Sequence, residues 1–537
     1  MEGVNQINRR PLANGNIPNG SLANGVNNAG IREPEVSQPN LRELIANGLR
    51  EQMQEMRKDV LDQVTERIDD MVSEIIEKVE TAKPGKTTEL MNSDKYRDKV
   101  KTSSEELLPS KQFQERNSML TDLFEIPHIR TIYNIFIVIL GLLFTHTIVE
   151  DLLRKEVPSI GIKTIVLVFG KFPIALSTWL YMKASVVGVY VAFCTWAYQR
   201  SEFQPNSTIR KIWDYGWLSI LIIYEILFCV LSTKEVVTHS LPVASTLVVL
   251  MEQVRIIMKV HAFVRSNASK FLSYKPHSDL PTPKIAGFSH YMYFMFAPTL
   301  VYRDSYPRTK KIRWMKAVCH LAEVTMTIFF SAFMFERFIF PAYNIYGTPD
   351  HDRRSLILNV FMSMVCGILF FLCGFYCLLH AWLNATGELL RFADRLFYKD
   401  WWTSSTYSRY YRTWNVVVHD WLHTYIYKDM YEILTPQNKF LSTSAVFITS
   451  AIFHEYILAF AFGFFYPVLL FFFLGIGFTL QILGRRTGNT FIWMSLIVGN
   501  GLLMSLYAME YYARLNCPAY TEGFLDHILP RSWFCPS

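Results

Sequence analysis

One histidine in the middle of an apolar stretch is the residue best placed for acid–base chemistry. His454 and Glu455 are adjacent in a largely apolar run from Phe440 to Phe473. At about 1.5 Å per helical residue, His454 lies about 21 Å along this run, inside a hydrocarbon core of about 30 Å. Desolvation there favours a neutral imidazole that can accept a proton, although such a residue can also simply hydrogen-bond a neighbouring helix. Glu455 is rotated by about 100° on a helix, so we interpret it as a structural group.

A second group of polar and aromatic residues precedes this histidine. Between Leu389 and Asp429, tryptophan and tyrosine recur beside arginine, lysine and aspartate, which is typical of interfacial helices that contact headgroups or an amphiphilic ligand. Asn415 and His419 are four residues apart and would share one face of a helix. Positive charge that suits either a phosphate-bearing ligand or anionic lipid comes from Arg412, Lys428 and Lys439.

These residues need a membrane-embedded body to position them. Of the 537 residues, 51% are apolar and 15% are aromatic, which indicates an all-α polytopic membrane protein. The segment 160–198 could hold one span or two, and the other candidate spans are 131–149, 212–232, 243–262, 314–341, 355–381, 440–464, 466–483 and 490–512. The net charge of +7 is small and no basic cluster is typical of a nucleic-acid interface, so we exclude nucleic acid as a partner.

Lysine and arginine in the loops predict the topology. The loops 263–313 and 382–439 are rich in both residues, so both are predicted to be cytosolic. With a cytosolic amino-terminal arm, an even number of spans must precede Arg265, and 160–198 would then cross once, over about 171–198. The predicted total is about nine transmembrane helices, with the carboxyl end in the lumen.

The first 128 residues contain no segment long enough to span a membrane. Residues 1–40 are predicted to be a disordered tail because asparagine, glycine and proline are frequent there. Residues 41–83 carry apolar residues with a period close to eleven, which predicts an amphipathic helix. We expect this helix to mediate oligomerisation, and folding back onto the membrane is the alternative. Residues 84–128 are predicted to be a linker and an interfacial helix.

The cysteines divide into two groups. Six of the eight lie in apolar stretches and are expected to be reduced and inert. Cys373 and Cys377 have only His380 near them in sequence, which is too few ligands for zinc, so no metal site is predicted. Cys517 and Cys535 follow the last apolar run. In a lumenal carboxyl-terminal tail, 516–537, they would form a disulfide worth roughly 3 kcal/mol.

Four motifs together resemble the membrane-bound O-acyltransferases, and within that family its sterol O-acyltransferase branch. The motifs are FAPTLVYRDSYPR (Phe296–Arg308), FYKDWW (Phe397–Trp402), RTWNVVVHDWL (Arg412–Leu422) and HEY (His454–Tyr456). The resemblance covers nearly everything after about Glu125 and implies the family's fold for residues 129–515. One departure is Thr403, because the family's FYxDWWN motif ends in asparagine.

The resemblance implies a multi-pass endoplasmic-reticulum enzyme that transfers a long-chain fatty acyl group from acyl-CoA to the 3-hydroxyl of cholesterol or a related sterol. Acyl-CoA would be a co-substrate, no cofactor is implied, and the lipid bilayer is the other partner. His454 matches the family's catalytic histidine and Asn415 its asparagine partner. The residues implied to contact acyl-CoA or the sterol are His419, Arg412, Trp414, Tyr427, Lys439 and Ser450, and the motif residues are Phe397, Tyr398, Asp400, Trp401 and Trp402. We expect a homodimer or a homotetramer.

Other functions are compatible with parts of this pattern. Diacylglycerol acyltransferases share an FYxDWWN motif and a buried histidine, so the acceptor could be a diglyceride. The RTWNVVVHDW and YRDSYPR motifs favour the sterol branch. A transporter could use His454, Glu455 and Asn415 as an ion relay, but no broken spans recur at matching positions in two halves. A lipid-binding scaffold with an inactive site would depend on Thr403 alone.

Overall fold

Long apolar helices form most of the part of the chain that the structure describes. The computed structural model describes Leu108 and residues 111–154, 158, 160–205, 207–274, 283–349, 352–483, 487–519 and 523–535. The predicted tail (1–40), the predicted oligomerisation helix (41–83) and residues 84–107 lie outside these ranges. Within them there is no β-strand, only isolated bridges that join Arg116 to Asp394 and Arg308 to Phe392.

Nine long helical segments within the described ranges coincide with the nine predicted spans. They are α1 (Pro127–Leu153), α2 (Phe172–Glu202), α3 (Thr208–Thr238), α4 (Val243–Ser273), α5 (Trp314–Tyr343), α6 (Arg354–Leu389), α7 (Lys439–Phe462), α8 (Val468–Leu483) and α9 (Asn489–Asn516). Seven of them are long and apolar enough to cross a membrane, and α4 and α8 are not among these seven. The all-α membrane class is confirmed, and the count of nine crossings stays a prediction.

The ambiguous stretch 160–198 contains one long helix. A short helix, Ile162–Val168, precedes α2, and the backbone between them turns at Lys171, whose φ is 57°. Pro173 lies in the first turn of α2, where its missing N–H costs no helical hydrogen bond. The prediction of one crossing-length helix that begins near residue 171 is therefore confirmed.

Charged residues on α4 lower its hydropathy, and Glu252, Arg255 and Lys259 have partners within the helical body. Glu252 accepts from Arg255 at 2.6 Å and from Lys183 of α2 at 2.7 Å. Lys259 is fully buried and donates to the carbonyl oxygens of Phe294 and Ala297, both at 2.6 Å. Because these charges are satisfied internally, α4 can pack between its neighbours at membrane depth.

Short elements connect the long helices. Between α6 and α7 the chain forms 3-10 turns at Trp401–Thr403, α-helices at Tyr407–Trp414 and Val416–Leu422, and π-helical segments at His423–Tyr427 and Met430–Leu434. Elsewhere there are short helices at Met119–Leu123, Phe288–Phe296 and Phe524–Ile528, and a 3-10 turn at Arg531–Trp533. The region from Leu389 to Asp429, which the sequence predicts to be interfacial, therefore consists of short helices in contact with one another and contains no span.

The carboxyl-terminal tail is fastened to the end of α9. Cys517 and Cys535 form the predicted disulfide, with 5.9 Å between their Cα atoms. The carboxylate of Asp526 accepts from Nη2 of Arg531 at 2.6 Å and from Nε of Arg531 at 2.8 Å. These hydrogen bonds lower the pKa of Asp526. The tail is therefore held by a covalent bond and by a charge-assisted pair.

Candidate active site

The ring orientation of His454 is determined by the helix that carries it. Its Nδ1 lies 2.7 Å from the carbonyl oxygen of Ser450, one turn earlier on α7. A carbonyl can only accept, so we assign the hydrogen to Nδ1 and the lone pair to Nε2. The ring stacks on Phe473 of α8, with 5.7 Å between centroids, and the residue is exposed rather than sealed by its neighbours. The imidazole can therefore accept a proton at Nε2.

The two residues after His454 anchor α7 to other helices. Glu455 is buried, and one of its carboxylate oxygens accepts from the backbone N–H of Leu470 at 3.2 Å, at the start of α8. The Tyr456 hydroxyl donates to Gln253 of α4 at 2.8 Å and also hydrogen-bonds Thr233 of α3. The HEY motif therefore presents one free base and two anchors, in agreement with the structural interpretation of Glu455.

Asn415 is held in place by the FYKDWW segment. The N–H of Lys399 donates to Thr413 and the N–H of Val416 donates to Phe397, both at 2.9 Å, so the backbone is clamped on each side of Asn415. Its Oδ1 accepts from the N–H of Val418 at 3.1 Å. In the described residues no acceptor lies within hydrogen-bond distance of Nδ2. The amide hydrogens of Asn415 are therefore available to a ligand.

The prediction that Asn415 and His419 share one face of a helix is wrong. Asn415 has a φ of −134° and is the N-cap residue of the helix that begins at Val416, whereas His419 lies within that helix. Asparagine is among the residues that favour this capping position, because its side chain satisfies a free N–H of the first turn. The interval from Asn415 to His419 therefore crosses a helix boundary, and the helical spacing rule does not apply to it.

His419 is the first of four stacked rings. The centroid distances are 6.1 Å from His419 to His423, 5.5 Å from His423 to Tyr427 and 5.9 Å from Tyr427 to Tyr431, with interplanar angles of 18°, 14° and 7°. We call these four residues the aromatic ladder. His419 and Tyr427 were predicted from the sequence as binding residues, whereas His423 and Tyr431 were not. The spacing of four residues between successive rings in HDWLHTYIYKDMY was the available signal.

A charged pair, Lys111 and Asp420, lies beside His419 at the amino-terminal end of the aromatic ladder. Asp420 accepts from Lys111 at 2.5 Å, and one of its oxygens lies 3.6 Å from Nδ1 of His419. Burial alone would raise the pKa of Asp420, but the hydrogen bond with His419 and the Lys111 ammonium together hold it below its usual value. Asp420 is therefore an anion that pairs with Lys111 and lies beside His419.

The FYKDWW segment is a packing element rather than an open surface. Phe397, Tyr398 and Trp401 are at most 2% exposed. Trp401 packs edge-on against Trp414 with 4.7 Å between centroids, and Trp414 stacks on Phe371 of α6 at 4.3 Å. Trp414 was expected along the acyl-CoA route, and the structure places it, half-buried, in this aromatic cluster.

Thr403 closes the turn that follows the motif. Its hydroxyl donates to Asp400, at 2.8 Å to the carbonyl oxygen and 2.9 Å to the carboxylate. Arg409 donates to the same carboxylate at 2.6 Å. Trp402 is held from the other side, because its carbonyl oxygen accepts from Asn489 at 2.8 Å and from Trp493 at 3.1 Å. The residue that departs from the family's pattern thus makes a local, solvent-exposed hydrogen bond.

The remaining predicted residues occupy different places. Arg412 is exposed, and its Nε donates to the carbonyl oxygen of Ser408 at 3.0 Å. Lys439 is exposed at the first position of α7. Ser450 supports the ring of His454 instead of lining an outer route. Within the part of the chain that the structure describes, Asn415 and His454 form no hydrogen bond with each other.

Comparison with known proteins identifies relatives along most of the chain. The family described as MBOAT, membrane-bound O-acyltransferase, matches residues 176–509, which include every residue of HEY, FYKDWW and the aromatic ladder. Sterol O-acyltransferase 1 of Chlorocebus aethiops is 37% identical over 519 residues, which cover 94% of this chain and 93% of that protein. Sterol O-acyltransferase 2 of Homo sapiens is 37% identical over 441 residues, which cover 81% and 82%.

Proposed function

The chain belongs to the membrane-bound O-acyltransferase family, and from this premise we propose that it transfers a long-chain fatty acyl group from acyl-CoA to the 3-hydroxyl of cholesterol or a related sterol. One observation carries the proposal. His454 presents a free Nε2 on a span, in a chain that is 37% identical to sterol O-acyltransferases over most of its length. A proton acceptor at membrane depth is what an acyl transfer to a lipid alcohol requires.

The proposed reaction needs a base and a hydrogen-bond donor. Nε2 of His454 takes the sterol hydroxyl proton as the oxygen attacks the thioester carbon, which contributes typically about 10²- to 10⁴-fold in rate. The C–O bond forms, the C–S bond breaks, and the coenzyme A thiolate takes the proton back from the imidazolium. Nδ2 of Asn415 is proposed to donate to the developing oxyanion. Positioning the thioester is the alternative role for Asn415.

The coenzyme A moiety is proposed to lie along the aromatic ladder. An adenine ring can stack against His419, which has a ring neighbour on one side only, whereas Tyr427 lies between His423 and Tyr431. Arg412 and Lys439 are exposed cations suited to its phosphates. α7, which carries His454, packs against the π-helical segments 423–427 and 430–434, which contain three of the four ladder residues. A ligand on the aromatic ladder would therefore be close to α7.

The orientation in the membrane is part of the proposal. We place the protein in the endoplasmic-reticulum membrane with the amino terminus in the cytosol and the carboxyl terminus in the lumen. The Cys517–Cys535 disulfide supports a lumenal tail, because disulfides persist in oxidising compartments. A homodimer or homotetramer formed through residues 41–83 is also proposed, from the apolar stripe of that segment.

The deciding experiment offers two acceptors to the purified protein. Labelled oleoyl-CoA is incubated with cholesterol or with diacylglycerol, and the ester formed is identified. We expect a sterol ester from the wild type and none from His454→Ala. His239→Ala, at an exposed histidine that pairs only with Glu235 in the described residues, is the matched control and should keep full activity.

Three results would contradict the proposal. Triglyceride as the product would establish the diacylglycerol acyltransferase alternative. Turnover by His454→Ala would remove the proposed base. Ion flux in proteoliposomes without acyl-CoA, together with no ester, would favour a transporter.

A further inference from the structure

Two histidines and a glutamate meet away from the proposed active site. His320 and Glu323 lie on α5, and His380 lies on α6. One potential ligand atom from each of the three side chains lies within 4.8 Å of the other two. His380 is buried, and His320 and Glu323 are partly buried. None of the three contacts His454, Asn415 or the aromatic ladder, so this cluster is separate from the acyl-transfer site.

Glu323 has no permanent counter-cation within the described ranges. Its carboxylate lies 2.9 Å from Nδ1 of His320, and no lysine or arginine there lies within ion-pair distance of it. A carboxylate on a membrane-spanning helix is costly unless it is paired or bound to a cation. A bound cation would supply the missing positive charge.

His380 is oriented as imidazole ligands of metals usually are. Its Nδ1 lies 2.6 Å from the Tyr398 hydroxyl and 3.4 Å from Nδ2 of Asn384, and the same hydroxyl accepts from the N–H of Leu120 at 3.3 Å. A metal-binding histidine nearly always donates its other ring N–H to such an acceptor, which fixes the ring and leaves the remaining nitrogen free. Nδ1 of His320 lies 2.9 Å from the carboxylate of Glu323, so these two potential ligand atoms lie side by side, and the His320 and His380 rings stand edge to face with 5.6 Å between centroids.

From this geometry we propose that His320, Glu323 and His380 bind a divalent transition-metal ion, with Zn²⁺ as the best match. Two imidazoles and one carboxylate are a common ligand set for zinc, and a fourth position remains for water. At the upper limit of the observed spacing, the three atoms must move about 1 Å closer to reach Zn–N distances of about 2.0–2.1 Å. Side-chain rotation at His320 and Glu323, which are not fully buried, can provide this movement.

The bound ion would have a structural role. It would join α5 to α6, and through the hydrogen bond between His380 and Tyr398 it would support the FYKDWW segment. Because a ligand that binds only the folded state stabilises it, removal of the ion should lower the unfolding temperature. Acyl transfer itself would not pass through the ion.

The test measures metal in full-length protein purified without a polyhistidine tag. After incubation with Zn²⁺ and removal of free ion, elemental analysis should find about one zinc per chain, as a single site requires. His320→Ala and Glu323→Gln should each lose it. The matched controls are His239→Ala and Glu235→Gln, an exposed pair on α3 that has no third ligand, and both should retain the metal.

Tyr398→Phe tests the orientation of His380 without removing a ligand. Loss of the supporting hydroxyl should weaken the zinc affinity by about 10- to 100-fold in competition with a chelating dye. If a ligand variant fails to fold, the visible spectrum of the Co²⁺-loaded wild type decides instead, and a four-coordinate spectrum supports the site. Wild-type protein without zinc or a Co²⁺ spectrum, or with the same zinc content as the ligand variants, would overturn the proposal.

Discussion

At the scale of single residues, substitution can separate the capping role of Asn415 from its proposed role in the reaction. Its Oδ1 caps a helix, whereas its Nδ2 is free in the described residues. Asn415→Asp keeps a capping oxygen and removes the donor. We expect the unfolding temperature to stay near that of the wild type and kcat to fall by about 10²- to 10³-fold, the usual effect of losing an oxyanion donor.

Two further variants control this experiment. Asn415→Ser is a neutral capping residue and should reproduce the loss of activity without added negative charge. Asn415→Ala should lose the activity and also about 1 kcal/mol of stability with the cap. If Asn415→Asp or Asn415→Ser retained wild-type kcat, the amide would have no role in the reaction and Asn415 would be only a cap.

Substitutions at Thr403 test whether threonine in place of the last asparagine of FYxDWWN affects activity. The hydroxyl bonds Asp400 beside Arg409 at an exposed turn, and a carboxamide could make the same bond. Thr403→Asn should therefore change sterol ester formation little. Thr403→Val removes the hydroxyl at constant shape and should cost no more than about 1 kcal/mol in the free energy of unfolding. A large gain of activity in Thr403→Asn would show that threonine impairs the site.

The histidine of the proposed reaction could be predicted from the sequence, and the metal cluster could not. His454 stands out because an ionisable residue inside an apolar run needs a physical reason. His320 and Glu323 also lie in a span, but His380 comes from the next one, and only the packing of α5 against α6 brings them together. A cluster whose members are distant in sequence leaves no local spacing to read.

At the scale of elements, the long helices were predicted closely because lipid permits little else. Backbone N–H and C=O groups have no water partners in the bilayer, so an apolar run of sufficient length must be helical. The segment 212–232 lies within α3, and 490–512 lies within α9. The region 389–438 has no such constraint. Its turns depend on specific hydrogen bonds, such as the clamp around Asn415, which composition does not reveal.

Residues 111–126, which precede α1, run across the proposed acyl-CoA face, and we call them the strap. Lys111 binds Asp420, and Arg116 binds Asp394 with its Nε at 2.7 Å. The backbone of Arg116 also pairs with that of Ala393 and Arg395, at 3.0 Å in both hydrogen bonds. The strap therefore joins Asp394, which precedes the FYKDWW segment, to Asp420, which lies beside His419.

Loss of the Lys111 charge should have an effect that depends on pH. Asp420 has a lowered pKa in the folded protein, so its ion pair contributes stability above the unfolded value of about 3.9 and loses it as the pH falls through the folded pKa. Lys111→Met keeps the apolar stem, and we expect a loss of about 1–3 kcal/mol at pH 7, because a partly buried carboxylate loses its cation. The difference from wild type should shrink as the pH approaches the pKa of Asp420.

Thermal unfolding of both proteins in detergent, measured from pH 7 downward, tests this prediction. Lys270→Met is the matched control, because Lys270 pairs with Asp304, whose side chain is 70% exposed. Exposed pairs contribute little, so the control should differ from wild type by less than about 1 kcal/mol at every pH. A constant difference between Lys111→Met and wild type would mean that packing of the stem, and not the charge, holds the strap.

At the scale of the whole molecule, the crossings of α4 and α8 decide which face carries the acyl-CoA site. If neither crosses, seven spans remain, and the termini still lie on opposite sides, as they do with nine. A tag on either end therefore cannot distinguish the two arrangements. The loops can, because omission of α4 would move the loop before α5 and the loop after α6 from the cytosol to the lumen.

The excess of lysine and arginine in those two loops favours nine crossings, since such loops stay in the cytosol. Lys311 and Pro349 are exposed residues at opposite ends of α5, so they report the orientation of that helix. With nine crossings, Lys311→Cys should react with a membrane-impermeant maleimide in cells whose plasma membrane alone is permeabilised, and Pro349→Cys should react only after the internal membranes are opened. Seven crossings require the reverse pattern. The unsubstituted protein, treated in parallel, measures the labelling of its six free cysteines. The reverse pattern would place the aromatic ladder in the lumen, away from cytosolic acyl-CoA, and would contradict the proposed route together with the topology.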